Sequence, residues 1–282
     1  MQTDYVQRFL FENLDIRGRL VCLTGAWQRM LDGRDYPQDV VALLGHTTAL
    51  NVLLGANQKG AGRVTLQVQG TGPVKLLVAD CTAELRIRGM AHYEREEVGQ
   101  ENERELLGDG RLSVTLEDLK SGKFYQSLVP LEGETLEQMF THYLWQSDQL
   151  SAYLRLHADG GAAAGLLLEK LPGADTRDPD GWNRVTHFAN TLTLAETRGV
   201  QPYDLLTRIF PEELMRVFRL YAVEYHCPYD EDKVKDMLRG LGREEVESIL
   251  AEQGEVVIRN EMCNHEYRFD AAAIARLFAT HH

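Results

Sequence analysis

The sequence predicts an α+β fold in three parts. These are an N-terminal mixed sheet-and-helix domain over 1–175, a helical linker over 176–224 and a small C-terminal α+β domain over 225–282. Three observations lead there. Strand-like stretches crowd the first part, and helices interrupt them without the regular alternation of a doubly wound sheet. Then Asp178-Pro-Asp-Gly181 breaks the pattern, and helical periodicity follows it. A length of 282 residues is about twice that of an ordinary domain, which leaves room for more than one core.

In chain order, Arg19-Leu-Val-Cys-Leu-Thr24 reads as a short strand before a helix over 26–31, and a longer helix is expected over 38–54. Val64, Leu66 and Val68 alternate with polar residues, the period-two mark of a half-buried strand. Gly70-Thr-Gly-Pro73 turns the chain into strands beginning at Val74, Leu85, Arg111 and Tyr125. Leu136, Met139, Phe140, Tyr143 and Leu144 fall on one face of a helix over 135–146, and strands at 153–157 and 165–169 close the domain. In the linker, Trp182, Val185, Phe188 and Leu192, then Leu205 and Ile209, then Leu214, Val217, Phe218 and Tyr221, recur at helical spacing between prolines. Each stripe is expected to pack against the first domain. The functional alternative is an apolar surface that can be uncovered to hold a partner. The last part reads as two helices over 231–238 and 243–252, a hairpin of 254–259 with 267–269, and a closing helix from 270. Fewer than 60 residues bury little apolar surface, so a unit of this size needs a metal, a cross-link or a docked neighbour.

Lysine and arginine number 30 against 43 acids, a formal charge of −13, which repels phosphate backbones and removes nucleic acid as an expected partner. No apolar run approaches the roughly 20 residues that span a bilayer, and the start lacks the basic-then-apolar pattern of a secretion signal, so a cytoplasmic protein is expected. Four cysteines, Cys22, Cys81, Cys227 and Cys263, are too few for a disulfide scaffold; Cys22 and Cys81 read as buried small hydrophobes. Gly60-Ala-Gly62 and Gly70-Thr-Gly72 lack the spacing of a dinucleotide fingerprint, and no phosphate loop, nucleophile elbow or zinc-protease helix is present. His46, His92, His142, His157 and His187 are scattered, and no enzyme is expected.

Several stretches, in order, carry a resemblance. They are Phe9-Leu-Phe-Glu-Asn-Leu-Asp-Ile-Arg-Gly18, Leu66-Gln-Val-Gln-Gly-Thr-Gly-Pro73, Gln146-Ser-Asp-Gln-Leu150, Gly165-Leu-Leu-Leu-Glu-Lys-Leu-Pro172 and Glu244-Glu-Val-Glu-Ser-Ile-Leu-Ala-Glu-Gln-Gly-Glu255. With them the chain resembles, over nearly its whole length, the redox-regulated holdase chaperones known as 33-kDa chaperonins. The resemblance implies an ATP-independent stress-response chaperone for unfolding proteins, dimeric when active, with client surface on the first domain and linker. Trp182, Val185, Phe188, Leu192, Leu205 and Ile209 are the candidate client stripe.

The resemblance also implies four zinc-binding cysteines, a C-x-C pair before the acidic helix and a C-x-x-C pair after it, whose oxidation expels zinc and unfolds the small domain. Here those pairs fall on Cys227-Pro-Tyr229 and Asn260-Glu-Met-Cys263, so Tyr229 and Asn260 stand at lost ligand positions. Neither local disulfide can form. Three states stay open for Cys227 and Cys263: one bridge between them, a zinc site shared with His226 and His265, or two ordinary thiols with Tyr229 filling the gap. The ordinary thiols are the expectation, with no metal bound and peroxide sensing weakened or lost, and opening by heat or constitutively. The rival functions are a zinc-ribbon-like interaction module and an inactive structural paralogue.

Overall fold

The computed structural model describes residues 4–57, 62–94 and 102–279. Gly60 and Ala61 of the first glycine motif lie outside them. Two compact units divide the chain, residues 1–226 and 227–282.

The first unit begins with β1 (Tyr5–Phe11), β2 (Ile16–Leu23), α1 (Gly25–Leu31) and α2 (Gln38–Gly55). Next come β3 (Gly62–Gln69), β4 (Val74–Thr82), β5 (Arg86–Tyr93), α3 (Glu103–Leu107), β6 (Arg111–Asp118) and β7 (Lys123–Val129). It continues through α4 (Leu136–Asp148), β8 (Ala152–Ala158), β9 (Ala163–Lys170), α5 (Ala174–Arg177), α6 (Gly181–Ala189), α7 (Leu194–Thr197) and α8 (Pro202–Ile209). It ends with β10 (Met215–Ala222) and β11 (Glu224–Tyr225). A five-stranded sheet runs β10-β1-β2-β9-β8, and a six-stranded sheet runs β11-β5-β4-β3-β6-β7.

The core follows from α2, which is apolar nearly all round. Val40, Leu43, Leu44, Leu50 and Leu53 join one buried cluster with Val21 and Leu167 of the first sheet and Val64, Leu66 and Leu77 of the second. A helix without a polar face has to be covered on both sides, and the two sheets do that. Its buried polar groups are paired: Thr47 and Thr48 donate to the Leu43 and Leu44 carbonyls, and Asn51 Nδ2 donates to the Val64 and Ala79 carbonyls at 3.1 and 2.9 Å. Asn51 thereby ties α2 to adjacent strands of the second sheet.

The other face of the first sheet is covered by the segment read as a linker. Val185, Leu192, Leu205 and Ile209 are buried among Tyr5, Phe9, Phe11 and Leu20, with Trp182 and Phe188 packed against them. The candidate client stripe is therefore core of the first unit and not a free surface. The segment also ends differently from expectation. Residues 215–222 form β10, paired antiparallel with β1, where helical spacing had suggested a third helix. Met215, Val217 and Leu220 are half-buried between exposed neighbours, so once one bulge is allowed the pattern is that of a strand. The open edge of β1 supplies the backbone partners that decide it. β1, whose apolar residues are interrupted by Gln7 and Arg8, is not read as a strand from the sequence.

The second unit contains α9 (Glu231–Leu241), α10 (Arg243–Gln253), a hairpin of β12 (Val256–Asn260) and β13 (His265–Phe269), and α11 (Ala271–Leu277). Val234, Leu238, Val246, Val256, Tyr267, Phe269 and Ile274 form its small core.

Gly18 of β2 lies directly across from Phe9 of β1, and a Cβ on Gly18 would come within 2.1 Å of the Phe9 ring. Phe9 is fully buried and has no room to retreat. Gly18→Ala is expected to cost about 2 kcal/mol by overpacking, read as a lower urea midpoint; an unchanged midpoint would contradict this packing.

Candidate functional site: the cysteine pair and the exposed sheet edges

In the second unit, the turn between β12 and β13 presents Cys263. Asn264 takes the left-handed conformation there at φ 57°, which asparagine tolerates better than most residues. The Cys263 N–H points to the Asn260 carbonyl at 3.2 Å and to Asn260 Oδ1 at 3.3 Å. Arg259 Nε donates to Asn264 Oδ1 at 2.9 Å and fixes the turn from outside. Cys263 is joined to Cys227 in a disulfide with Cα atoms 5.6 Å apart, a spacing that brings the two sulfurs into bonding reach. The expectation of two ordinary thiols is corrected accordingly.

Tyr229, at the first lost ligand position, stacks on Tyr267 with ring centroids 4.3 Å apart and lies 5.7 Å from the His265 ring. It is 57% exposed, so it braces the hairpin from the surface and does not fill a buried gap. The Asp230 N–H donates to the Tyr267 hydroxyl at 3.0 Å, and Asp230 also caps α9. His226 belongs to the first unit, where its N–H donates to the Ile87 carbonyl at 3.0 Å. Among the described residues no three histidine, cysteine, aspartate or glutamate side chains are gathered as a metal site, so the Cys₂His₂ alternative is not assembled. A tetrahedral zinc site does not fit these residues: two sulfurs bonded to each other offer no thiolate, and Asn260 Oδ1 already accepts from Cys263.

In the first unit, burial pushes the Cys22 thiol up to about 11 and the Cys81 thiol up to about 12, as suits inert core thiols. The fold does assemble a histidine–acid pair that the sequence scattered, His46 Nδ1 and Glu103 Oε1 at 2.5 Å. It lines a cavity of about 440 Å³ with Glu137, Arg155 and His157. Glu103 also accepts from the Leu136 N–H, and Glu137 Oε1 accepts from the Leu156 N–H, so these acids join α3, α4 and β8. Among the described residues the cavity is lined by no cysteine or serine, and its acids serve as joints between elements.

Large apolar side chains are exposed on two sheet edges; the sequence reading places Leu214, Phe218 and Tyr221 on a helix and does not single out Phe124 or Leu128. Phe124, Tyr125 and Leu128 are 72, 67 and 61% exposed on β7. Phe218 and Tyr221 are exposed on β10, with Leu214 just before it. Each strand is the last of its sheet. The signal was present in the runs Phe124-Tyr125 and Leu214–Tyr221, but only the strand order shows that they lie on terminal strands.

His157 is half-buried, with its Nε2–H donating to the Leu192 carbonyl at 2.9 Å, and desolvation by burial holds its pKa below the ordinary 6.5. Its unfolded form therefore takes up a proton first as pH falls, and stability present above about pH 6.5 is lost on acidification. Glu137, raised by burial, acts in the opposite direction. His157→Gln, which keeps a donor to Leu192, is expected to flatten the fall in melting temperature between about pH 7 and about pH 5.5. An unchanged slope would remove His157 as its source.

Residues 4–270 match the family model described as Hsp33 protein. The chain is 39% identical over 280 residues to the 33 kDa chaperonin of Methylobacillus flagellatus, covering 99% of this chain and 95% of that one. It is 36% identical over 279 residues to that of Neisseria meningitidis, covering 98% and 92%. The crystal structure of the 33 kDa chaperonin from Thermotoga maritima superposes with a TM-score of 0.80 over 98% of this chain and 97% of that one; at 20% identity this shows the shared fold. With the family model spanning nearly every element of both units and relatives matched end to end, the chain belongs to the Hsp33 family, the 33 kDa chaperonins.

Proposed function

We propose that this chain is an ATP-independent holdase, which binds unfolding proteins through apolar surface and keeps them from aggregating. The observation that carries the reading is the coincidence of a full-length family match with bare aromatic and aliphatic side chains on two terminal strands. A strand edge offers unpaired backbone groups beside those side chains, which suits an extended, unfolded polypeptide of any sequence. The buried residues from Val185 to Ile209 become available only when the first unit loosens. No catalytic step belongs to this reading, and the protein is taken to work in the cytoplasm, as a homodimer when active, without nucleic acid or membrane as partner.

Its regulation differs from the zinc-and-peroxide scheme of the family. The bridge from Cys227 to Cys263 spans 36 residues of sequence and ties the start of the second unit to its hairpin. Closing a loop of that length in the unfolded chain is worth about 4 kcal/mol on the chain-entropy account, comparable to the whole stability of so small a core. Heat, or a dithiol reductant that turns the bridge into two thiols while becoming a disulfide itself, opens this unit; peroxide does not.

Two measurements test these statements with the full chain. Phe124→Ser combined with Leu128→Ser is expected to weaken suppression of aggregation of a heat-denatured client several-fold without lowering the melting temperature, since both side chains are already in water. Undiminished suppression would move the client site elsewhere, and no suppression by the parent protein in any state would leave the inactive paralogue. Separately, Cys227→Ser or reduction is expected to lower the melting temperature of the second unit and raise holdase activity at low temperature. A more stable second unit on reduction, or activation by peroxide alone, would overturn the proposed direction of the switch.

A further inference from the structure

On the first sheet, the strand pairing gathers three arginines on one face. Arg17 and Arg19 are two residues apart on β2, and Arg8 of β1 lies directly opposite Arg19. Like charges facing each other across a strand pair are unfavourable unless something compensates them. One carboxylate does so in part. Glu169 of β9, opposite Arg17, accepts from Arg17 Nε and Nη2 at 2.8 and 3.0 Å and also takes Arg19 Nη2. Arg19 Nη1 donates to the Leu53 carbonyl at 2.6 Å, near the end of α2, where a cation meets the negative end of the helix. Glu169 thus orients two guanidinium groups and neutralises one charge.

Arg8 is left over. Its Nε is buried and meets no hydrogen-bond partner among the described residues. Its Nη2 reaches the Tyr221 hydroxyl at 3.3 Å, and its guanidinium carbon lies 5.2 Å from the centroid of that ring. The backbone sets this position apart as well. The β1–β10 register runs from Gln7 opposite Leu220 to Phe9 opposite Val217, so two residues of β10, Phe218 and Arg219, stand opposite Arg8 in a bulge of β10. A bulge re-aims side chains of its own strand, here Phe218 beside Arg8, and bulges are over-represented next to active sites. Arg8, Arg17, Arg19, Asn57 and Phe218 line a cleft of about 220 Å³. Three cations against one carboxylate leave an excess of two positive charges there, in a chain whose net charge is −13.

We propose that this cleft is a binding site for a phosphoryl dianion, held by the Arg8 guanidinium together with the exposed face of Arg17, with the buried charge of Arg19 behind them. A phosphate monoester or inorganic phosphate carries the charge the cleft lacks, and its oxygens match the forked geometry of arginine donors. The volume suits a phosphoryl group or the terminal phosphate of a larger molecule whose remainder stays outside.

The test is calorimetric titration of the full chain with inorganic phosphate, and separately with adenosine diphosphate, at constant ionic strength, with chloride as the blank. Saturable binding of phosphate is expected, weakened at least tenfold by Arg8→Gln, which breaks no ion pair, and by Asn57→Asp, which places a negative charge at the exposed rim. Tighter binding of the diphosphate would assign the phosphoryl group to a nucleotide, and equal binding would assign it to free phosphate. No saturable heat with either anion, or binding untouched in both variants, would overturn the site.

Discussion

The constraint on which the first unit rests is a helix with no face for water. α2 runs from Gln38 to Gly55 buried along nearly its whole length, so the chain has to place apolar surface on both sides of it. The five-stranded and six-stranded sheets are that surface. Asn51 fixes how α2 meets the second sheet by donating to two strand carbonyls from within the core. Arg19 fixes how α2 meets the first, reaching Leu53 near the end of the helix while its other arm holds Glu169. A buried charge of this kind is tolerable because it is paired on both arms.

Covering α2 with one face of the first sheet leaves the opposite face apolar and in need of a cover of its own. The segment after β9 supplies it, so the stripe that was expected to pack against the first domain is core in this state. In the proposed reading, the surface for unfolded chains lies at the ends of the sheets. Among the described residues β7 and β10 are terminal strands, and both carry large apolar side chains into water. A protein that keeps such edges bare meets an aggregation hazard that most proteins suppress with charge or proline. In the proposed reading the same feature is a means of contact with unfolded chains.

The second unit solves the small-core problem in a different way from the four-thiolate metal site that the resemblance implies. A metal held by four thiolates organises a small domain by cross-linking distant segments through one point. With Tyr229 and Asn260 in place of two ligands, the same two distant segments are joined by a covalent bond, and the vacated ligand positions are used locally. Tyr229 stacks on the hairpin, and Asn260 shapes the turn that carries Cys263. The topological role of the cross-link is kept, while its dependence on electrons is reversed in the proposed scheme, since a single long-range bridge restrains the unit when oxidised.

The sequence by itself determined the elements whose hydrophobic period is strong: α2, the alternating β3, the amphipathic α4 and the helices and hairpin of the second unit. It also determined which zinc ligands are missing, because identity at a motif position is a local property. What only the tertiary structure decided are the matters of pairing. Whether 215–222 is helix or strand depends on the free edge of β1, which lies more than two hundred residues away in the chain. The linker stripe became core because a sheet face had to be covered, and the scattered residues His46 and Glu103 met only because α2 and α3 pack together. Arg8, Arg17 and Arg19 looked like ordinary charges along the chain. The register of three strands makes them one cleft, since a strand's own sequence sets which side chains share its faces but its neighbours set what those faces meet.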